Sequence, residues 1–339
     1  MLTPMSERQR FLAAVNRTPV DRPALGSVTS LATTEAMAHC GAFFPSVHQD
    51  SRLMARLAAC ASLEAGFDMI FPVFSVVHEA AALGAPIYWG DVDVMPSITA
   101  PLWDAPEEIT IPDDFEYRPG MAVVLQALSL LRDAYGTRYA LVGKTFGPWS
   151  LGFHLFGVET ILVLSIEDPE KLQRILAGLL EVTVRSCRAQ LAAGADVLCV
   201  SDHCSREMCA PETYRTFLLP LHQELARRIP AALILHTCGD TADRLAYIAQ
   251  TGLAGFHYDT RVPTNTARAL TAGKMALIGG VSNLLALLPG DPAVIALNVD
   301  DALAAGVDVI GPECAVPLNT RMASLRAITT ALLARQQSV

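Results

Sequence analysis

Ala193-Gly194-Ala195-Asp196-Val197-Leu198-Cys199-Val200-Ser201-Asp202-His203 is the stretch that decides the architecture. Before it, residues 169–193 read as one long helix, with Asp168 as N-cap and Pro169 at the first helical position. Gly194 ends that helix, because glycine tolerates the left-handed backbone of a helix stop. Residues 196–201 then make a short apolar run, which reads as a parallel strand buried on both faces. Polar Asp202 and His203 follow at its end.

The same unit recurs along the chain, with the same punctuation at Ala65-Gly66-Phe67-Asp68 and Ala305-Gly306-Val307-Asp308. Eight apolar runs read as strands: 24–28, 69–74, 139–144, 196–201, 232–236, 255–258, 275–280 and 307–311. Helices are expected at 211–228, with Pro220 as a kink or break, and at 240–251. Eight strands alternating with helices spell an α/β protein of the (β/α)8 TIM barrel class. The expectation is a single barrel domain over 1–339, with an N-terminal helical segment. A doubly wound open sheet is disfavoured, since no Gly-x-Gly-x-x-Gly follows the first run. Residues 88–117, with Trp89, Trp103 and four prolines, fit neither strand nor helix. They are expected to form an insertion between the second and third strands that packs over the barrel mouth.

The chain has 339 residues, 52% of them hydrophobic and 17% charged, which is enough for a large core and too apolar for disorder. A net charge of -9 with no Lys/Arg cluster argues against a nucleic-acid partner. Apolar runs are broken well before membrane-spanning length, and residues 1–10 hold no apolar signal core. A cytoplasmic enzyme that binds neither nucleic acid nor membrane is expected, and its oligomeric state, homo-oligomer included, is left open.

In such a barrel the reacting groups sit at the C-terminal ends of the strands. His78 and Glu79 follow the second run, Lys144 ends the third, and Asp202 and His203 follow the fourth. His236 and Cys238 end the fifth, Asp259 follows the sixth, Ser282 and Asn283 follow the seventh, and Cys314 follows the eighth. His236 and Cys238, two apart on extended chain, point the same way. With Cys314 from across the barrel they make a three-ligand zinc set, which leaves the fourth tetrahedral position open for chemistry. The bland alternative is a hydrogen-bonded core histidine beside two inert thiols. Of the other cysteines, Cys60, Cys187 and Cys199 read as packing, while Cys204 and Cys209 are a weaker metal pair. An imidazole and two thiolates make the ion a modest Lewis acid toward water. Such an ion suits activation of a thiol or phenolate, because coordination delivers a thiolate at neutral pH.

Several motifs carry a family likeness. They are Asn16-Arg17-Thr18-Pro19-Val20-Asp21-Arg22-Pro23, His78-Glu79-Ala80-Ala81-Ala82-Leu83-Gly84, Gly147-Pro148, Gly279-Gly280-Val281-Ser282-Asn283, and above all His236-x-Cys238 with Cys314. On these the chain resembles the uroporphyrinogen decarboxylase superfamily over essentially its whole length. Within it, the chain is similar to the zinc methyltransferases of the methylcobamide:coenzyme M type. That resemblance implies Zn2+ on His236, Cys238 and Cys314, and methyl transfer to or from a corrinoid brought by a separate corrinoid-binding protein. No Asp-x-His-x-x-Gly cobalamin segment occurs in this chain. The small-molecule methyl donor or acceptor is a thiol such as coenzyme M, or an aryl methyl ether and its phenolate. Glu313 before Cys314, and Ala315 after it, depart from the coenzyme M pattern and put the thiol in question more than the metal.

Glu79 and Asp202 are the expected catalytic residues. Glu79 would be a displaceable fourth ligand or a proton acceptor, or else a carboxylate stabilised by a helix dipole. Asp202 would shape the pocket or cap a loop. Lys144, His203, Asp259 and Asn283 are expected to bind substrate. Lys144 would meet a sulfonate or carboxylate, or snorkel to solvent. Asp259 would orient a ligand or make a plain rim hydrogen bond. Phe146, Trp149, Phe153 and Phe156 would line a pocket or belong to the core. Two other functions compete. One is a metal-free lyase of the decarboxylase kind, disfavoured because the Arg-Gln-Ala-Gly-Arg-Tyr run of those enzymes is missing from residues 19–34. The other is a non-catalytic barrel serving as an interaction subunit, which has no need of an open metal site.

Overall fold

Glycine stops deliver the strands. Gly66 follows the helix Ser51–Ala65 at φ 74°, and Gly194 follows Pro169–Ala192 at φ 109°, conformations that cost a side-chain-bearing residue dearly. In the computed structural model, which describes residues 3–336, every expected barrel strand forms. The strands are β1 (Ala24–Leu25), β2 (Met69–Ile70), β5 (Ala140–Phe146), β6 (Val197–Ser201), β7 (Ala232–Thr237), β8 (Gly255–Tyr258), β9 (Ala276–Val281) and β10 (Val309–Pro312), with β3 (Ile87–Tyr88) and β4 (Ser97–Ile98) in the insertion. The eight pair in parallel in the order β1-β10-β9-β8-β7-β6-β5-β2, with helices outside, as a nearly closed (β/α)8 barrel. The expected end residues 1, 2 and 337–339 lie outside the described residues.

The seam lies between β1 and β2, which share no strand ladder. There Asp68 N–H donates to the Leu25 carbonyl, and the Asp68 carboxylate accepts from Leu25 N–H. That fully buried carboxylate also takes Arg10 at 2.7 Å and Arg22 at 2.8 Å, so two guanidiniums compensate its desolvation. Arg10 belongs to the helix Glu7–Val15, opened by a capping box between Ser6 and Gln9. This is the expected N-terminal helical segment.

Two expectations are adjusted and one is met. Residues 240–251 hold only the short helix Leu245–Ile248. The Asp240 carboxylate instead accepts from Ala242 N–H in a turn, and its carbonyl accepts from Arg206 N–H, which pins the loop. Residues 211–228 break as expected near Pro220, by a π turn at Tyr214–Leu218 in which Leu219 N–H reaches back to the Tyr214 carbonyl. The insertion covers the mouth only in part. Trp89, beside the β3–β4 hairpin, lies 6.3 Å from the His78 ring. Beyond it the chain runs down the outside: Leu102 N–H bonds the Leu155 carbonyl, and Glu116 pairs with Arg185 of the long helix. Among the described residues no single helix is long and apolar enough to cross a membrane.

Candidate metal centre

His236 enters the mouth from β7, and Cys238 stands just beyond the strand's last residue. Gly239 turns the chain at φ 93°, and its N–H donates to the Asp259 carboxylate at 2.8 Å. Cys314 arrives two residues past β10. His236 Nε2 lies 3.1 Å from Cys238 Sγ and 3.5 Å from Cys314 Sγ, and the two sulfurs are 3.0 Å apart. Among the described residues this is the only group of three or more His, Cys, Asp or Glu side chains drawn this close. Both thiols are free.

The donor set fits a zinc ion. An imidazole nitrogen and two sulfurs this close are all within bonding reach of one ion at about 2.0–2.3 Å. The histidine is already turned to ligate: Nδ1 donates to the His257 carbonyl at 3.2 Å, which leaves Nε2 for the ion. The Cys314 thiol donates to Cys238 and holds that sulfur below the usual thiol range, against the effect of burial. Cys314 itself is pushed up by the same bond and by burial.

A frame of hydrogen bonds fixes the loops that carry these three side chains. His257 Nε2 donates to the Pro312 carbonyl at 2.8 Å, so the residue that orients His236 also fastens β10. Glu313 is buried with both oxygens engaged. One accepts from Ser282 Oγ and Asn283 N–H, the other from Thr260 N–H and Oγ1. The departure noted in the sequence therefore ties three strand ends together beside Cys314. Asp259, besides Gly239, accepts from Arg261 N–H at 2.9 Å. Asn283 Nδ2 donates to the Ala315 carbonyl, while its buried Oδ1 has no partner.

The other expected residues fall in different places. Lys144 points into the mouth, 9% exposed, with Nζ 4.7 Å from the Phe146 ring centroid and no carboxylate partner among the described residues. His203 is half-buried, its ring nitrogens without a bond and its N–H on Ser150 Oγ. Burial lowers its pKa. Glu79 is not brought to the trio. It is buried against the long outer helix, accepts from Ser186 Oγ at 3.1 Å, and is raised in pKa by burial. Asp202 is fully buried and spends both oxygens internally, on Ser150 N–H at 2.7 Å and on His222 Nε2 at 3.0 Å. His222 in turn meets Tyr214 Oη at 3.0 Å. Asp202 thereby caps the helix Pro148–Phe156, whose own N-cap, Gly147, has no side chain to do so. Trp149, Phe153 and Phe156 are core. Cys204 and Cys209 stand apart from the trio, their carbonyls held by the buried Arg244.

Sequence reading missed His257 and His222, and marked Glu313 only as a departure from a pattern. His257 lay inside an expected strand, and its decisive atom is a main-chain carbonyl, which no side chain advertises.

The geometry has clear relatives. The methyltransferase of known structure from Methanosarcina mazei superposes with a TM-score of 0.95 at 27% identity, covering 98% of this chain and 99% of that one. The Methanosarcina mazei protein named methylated-thiol–coenzyme M methyltransferase is 33% identical over 98% of this chain and 90% of its own length. The methylcobamide:CoM methyltransferase MtaA of Methanosarcina barkeri is 28% identical over 96% of each. The family profile of uroporphyrinogen decarboxylase (URO-D) matches residues 6–334. With that span, and a barrel whose strand ends converge on one mouth, the chain belongs to the uroporphyrinogen decarboxylase family.

Proposed function

We propose that this chain is a zinc-dependent methyltransferase that moves a methyl group between a corrinoid, carried by a separate protein, and a sulfur substrate held in the barrel mouth. The observation that carries the reading is the His236–Cys238–Cys314 trio, with its donor atoms 3.0–3.5 Å apart. The relatives support the enzyme class, since all three are named methyltransferases. Two of them are named for coenzyme M. That favours a thiol over an aryl ether, as does the softness of a site with two thiolates.

His236, Cys238 and Cys314 would hold the zinc, which when bound lowers the pKa of an incoming thiol and keeps its sulfur nucleophilic at neutral pH. The protein's own residues do the rest. Cys238 and Cys314 surrender their protons on metal binding. His257 fixes the tautomer of His236, and Asp259 and Glu313 hold the two ligand loops in register. Lys144 offers a positive charge to the substrate. Asn283 presents its free oxygen, and His203 lines the wall. Glu79 and Asp202 take supporting parts, as buried anchors of the outer helix and of the Pro148–Phe156 helix.

Metal content of the purified protein tests the reading. One zinc per chain, removed by chelator and by Cys238→Ala or Cys314→Ala, is the expected result. A folded protein that has never met chelator and holds no zinc would overturn it and return the decarboxylase-like lyase to the front.

A further inference from the structure

On the outer wall of the barrel, two cysteines stand together that the metal centre does not use. Cys40 is the last residue of the helix Thr34–Cys40, and Cys60 lies in the helix Ser51–Ala65. Both thiols are free, and Cys60, expected as packing, is only half-buried, like Cys40. Cys60 Sγ lies 3.8 Å from the Ala36 carbonyl, and Cys40 Sγ lies 3.7 Å from the Met37 carbonyl. Those carbonyls are neighbours in the turn that leads to Cys40, so the two sulfurs share one spot on that helix. The Gly41 side is open, since a Cβ there would meet no atom within 4 Å.

Both cysteines line a cleft of about 720 Å³ between the helices Ser51–Ala65 and Met121–Tyr135. Arg52, Arg56 and Cys60 follow one another at four-residue spacing, so they form one stripe along it. Leu130, Leu131 and Tyr135 make the facing wall. Both arginines are exposed, and neither has an ion-pair partner among the described residues. Glu64, 3.3 Å from Cys60 Sγ, is itself hydrogen-bonded to His39 at 3.0 Å and paired with Arg326 at 3.6 Å. The cleft therefore sets two unpaired positive charges beside two thiols. Burial, and then Glu64, push the Cys60 thiol up to about 12, and the Cys40 sulfur adds to the rise. Cys60 keeps its proton and leaves the first attack to Cys40.

We propose that Cys40 and Cys60 form a thiol–disulfide exchange site, which is oxidised by an anionic low-molecular-weight disulfide held at Arg52 and Arg56. The Cys40 sulfur, as thiolate, attacks one sulfur of that disulfide. A bond to Cys40 forms, the small molecule's S–S bond breaks, and one half leaves as a thiolate that takes up a proton from water. Cys60 then attacks Cys40 Sγ, and its proton passes to the departing second half. The protein ends with a Cys40–Cys60 disulfide, having given up two electrons, and the small disulfide ends as two thiols. The new bond has a mechanical effect. The two helices it joins belong to the connection from β1 to β2, so it staples the covering of the barrel seam. No step of this involves the metal centre.

Two disulfides of opposite charge test the site. Glutathione disulfide, an anion, and cystamine, a dication, are each incubated with the purified full chain, and the cysteines are mapped by peptide mass spectrometry. Each rate is divided by that of the same disulfide with 2-mercaptoethanol, which removes intrinsic reactivity. The Cys40–Cys60 bond is expected to form about tenfold faster with glutathione disulfide on this scale. Replacing both arginines, Arg52→Gln with Arg56→Gln, should bring the two rates together. Cys60→Ser should arrest the reaction at a mixed disulfide on Cys40, and Cys40→Ser should leave Cys60 unmodified. Oxidation should raise the melting temperature by roughly 4 °C more in the wild type than in Cys40→Ser. Equal scaled rates for the two probes in the wild type overturn the site, and so does recovery of Cys40 and Cys60 unlinked after exposure to glutathione disulfide. Metal content is read on the same samples and is expected to be unchanged by either serine, so the site and the metal reading stand or fall separately.

Discussion

His257 serves the trio with two different atoms. Its carbonyl accepts from His236 Nδ1, and its Nε2 donates to the Pro312 carbonyl. Replacing it with Phe keeps the main chain and most of the volume but cuts the tie to β10, so Cys314 loses its anchor. The expected outcome for His257→Phe is a loss of metal affinity of about 10–100-fold with retained secondary structure. Competition against a chromophoric chelator measures it, and wild-type affinity would show that Glu313 alone holds the β10 loop. The trio itself was legible in the sequence, because soft donors at strand ends are rare and share one rim. Glu79 was less so. Its position after β2 was read correctly, but whether its carboxylate faces the mouth or the outer helix depends on Ser186, more than 100 residues away.

Among the elements, the helix Pro148–Phe156 shows how one residue far along the chain completes another's local structure. Gly147 leaves the first turn without a side-chain cap, and Asp202 supplies it from the β6 loop. The fit is close: a Cβ on Gly147 would come 2.2 Å from Asp202 Oδ2. Asp202→Ala should cost roughly 2–5 kcal/mol, since it strands both the Ser150 N–H and the His222 imidazole in the interior. Gly147→Ala should destabilise through the clash. Chemical denaturation of both variants checks this, and an unchanged midpoint for Asp202→Ala would show that buried water replaces the carboxylate. This tie also explains what the sequence hid. Asp202 looks catalytic at a strand end, and only the meeting of two loops turns it into a cap. By contrast the break at Pro220 was readable, because a missing amide hydrogen acts within its own turn.

For the whole molecule, buried neutral histidines make stability depend on pH. His48, His78 and His154 have pKa values of about 4, 3 and 4 in the folded chain, and His203 is lowered as well. Unfolded imidazoles protonate near 6.5. Below that pH the unfolded state binds more protons, so stability is full above about pH 6.5 and falls as pH drops toward the folded values. Each fully linked histidine contributes about 1.4 kcal/mol per pH unit. Glu79 and Asp68, both raised by burial, pull the other way, but they are fewer. The urea midpoint is expected to be clearly lower at pH 5.0 than at about pH 7.5, and an equal midpoint would mean the imidazoles are solvated. The barrel was legible throughout, since each buried strand announced itself as an apolar run, three of them set off by a glycine helix stop. The insertion was not, because residues 102–117 are placed by partners on outer helices, such as Arg185 and Leu155, and not by any periodicity of their own.

The seam between β1 and β2 divides the wall into two mechanical regimes. Amide exchange should be slowest along β6 and β7, which pair on both sides, and fastest at Leu25 and Asp68, where one main-chain bond and one carboxylate bridge the gap. The trio hangs from β7 and β10, while His48 and His78 follow the two seam strands. The trio thus hangs from well-paired strands, and the unpaired histidines follow the two strands that border the seam. A disturbance that opens the seam therefore reaches the trio last.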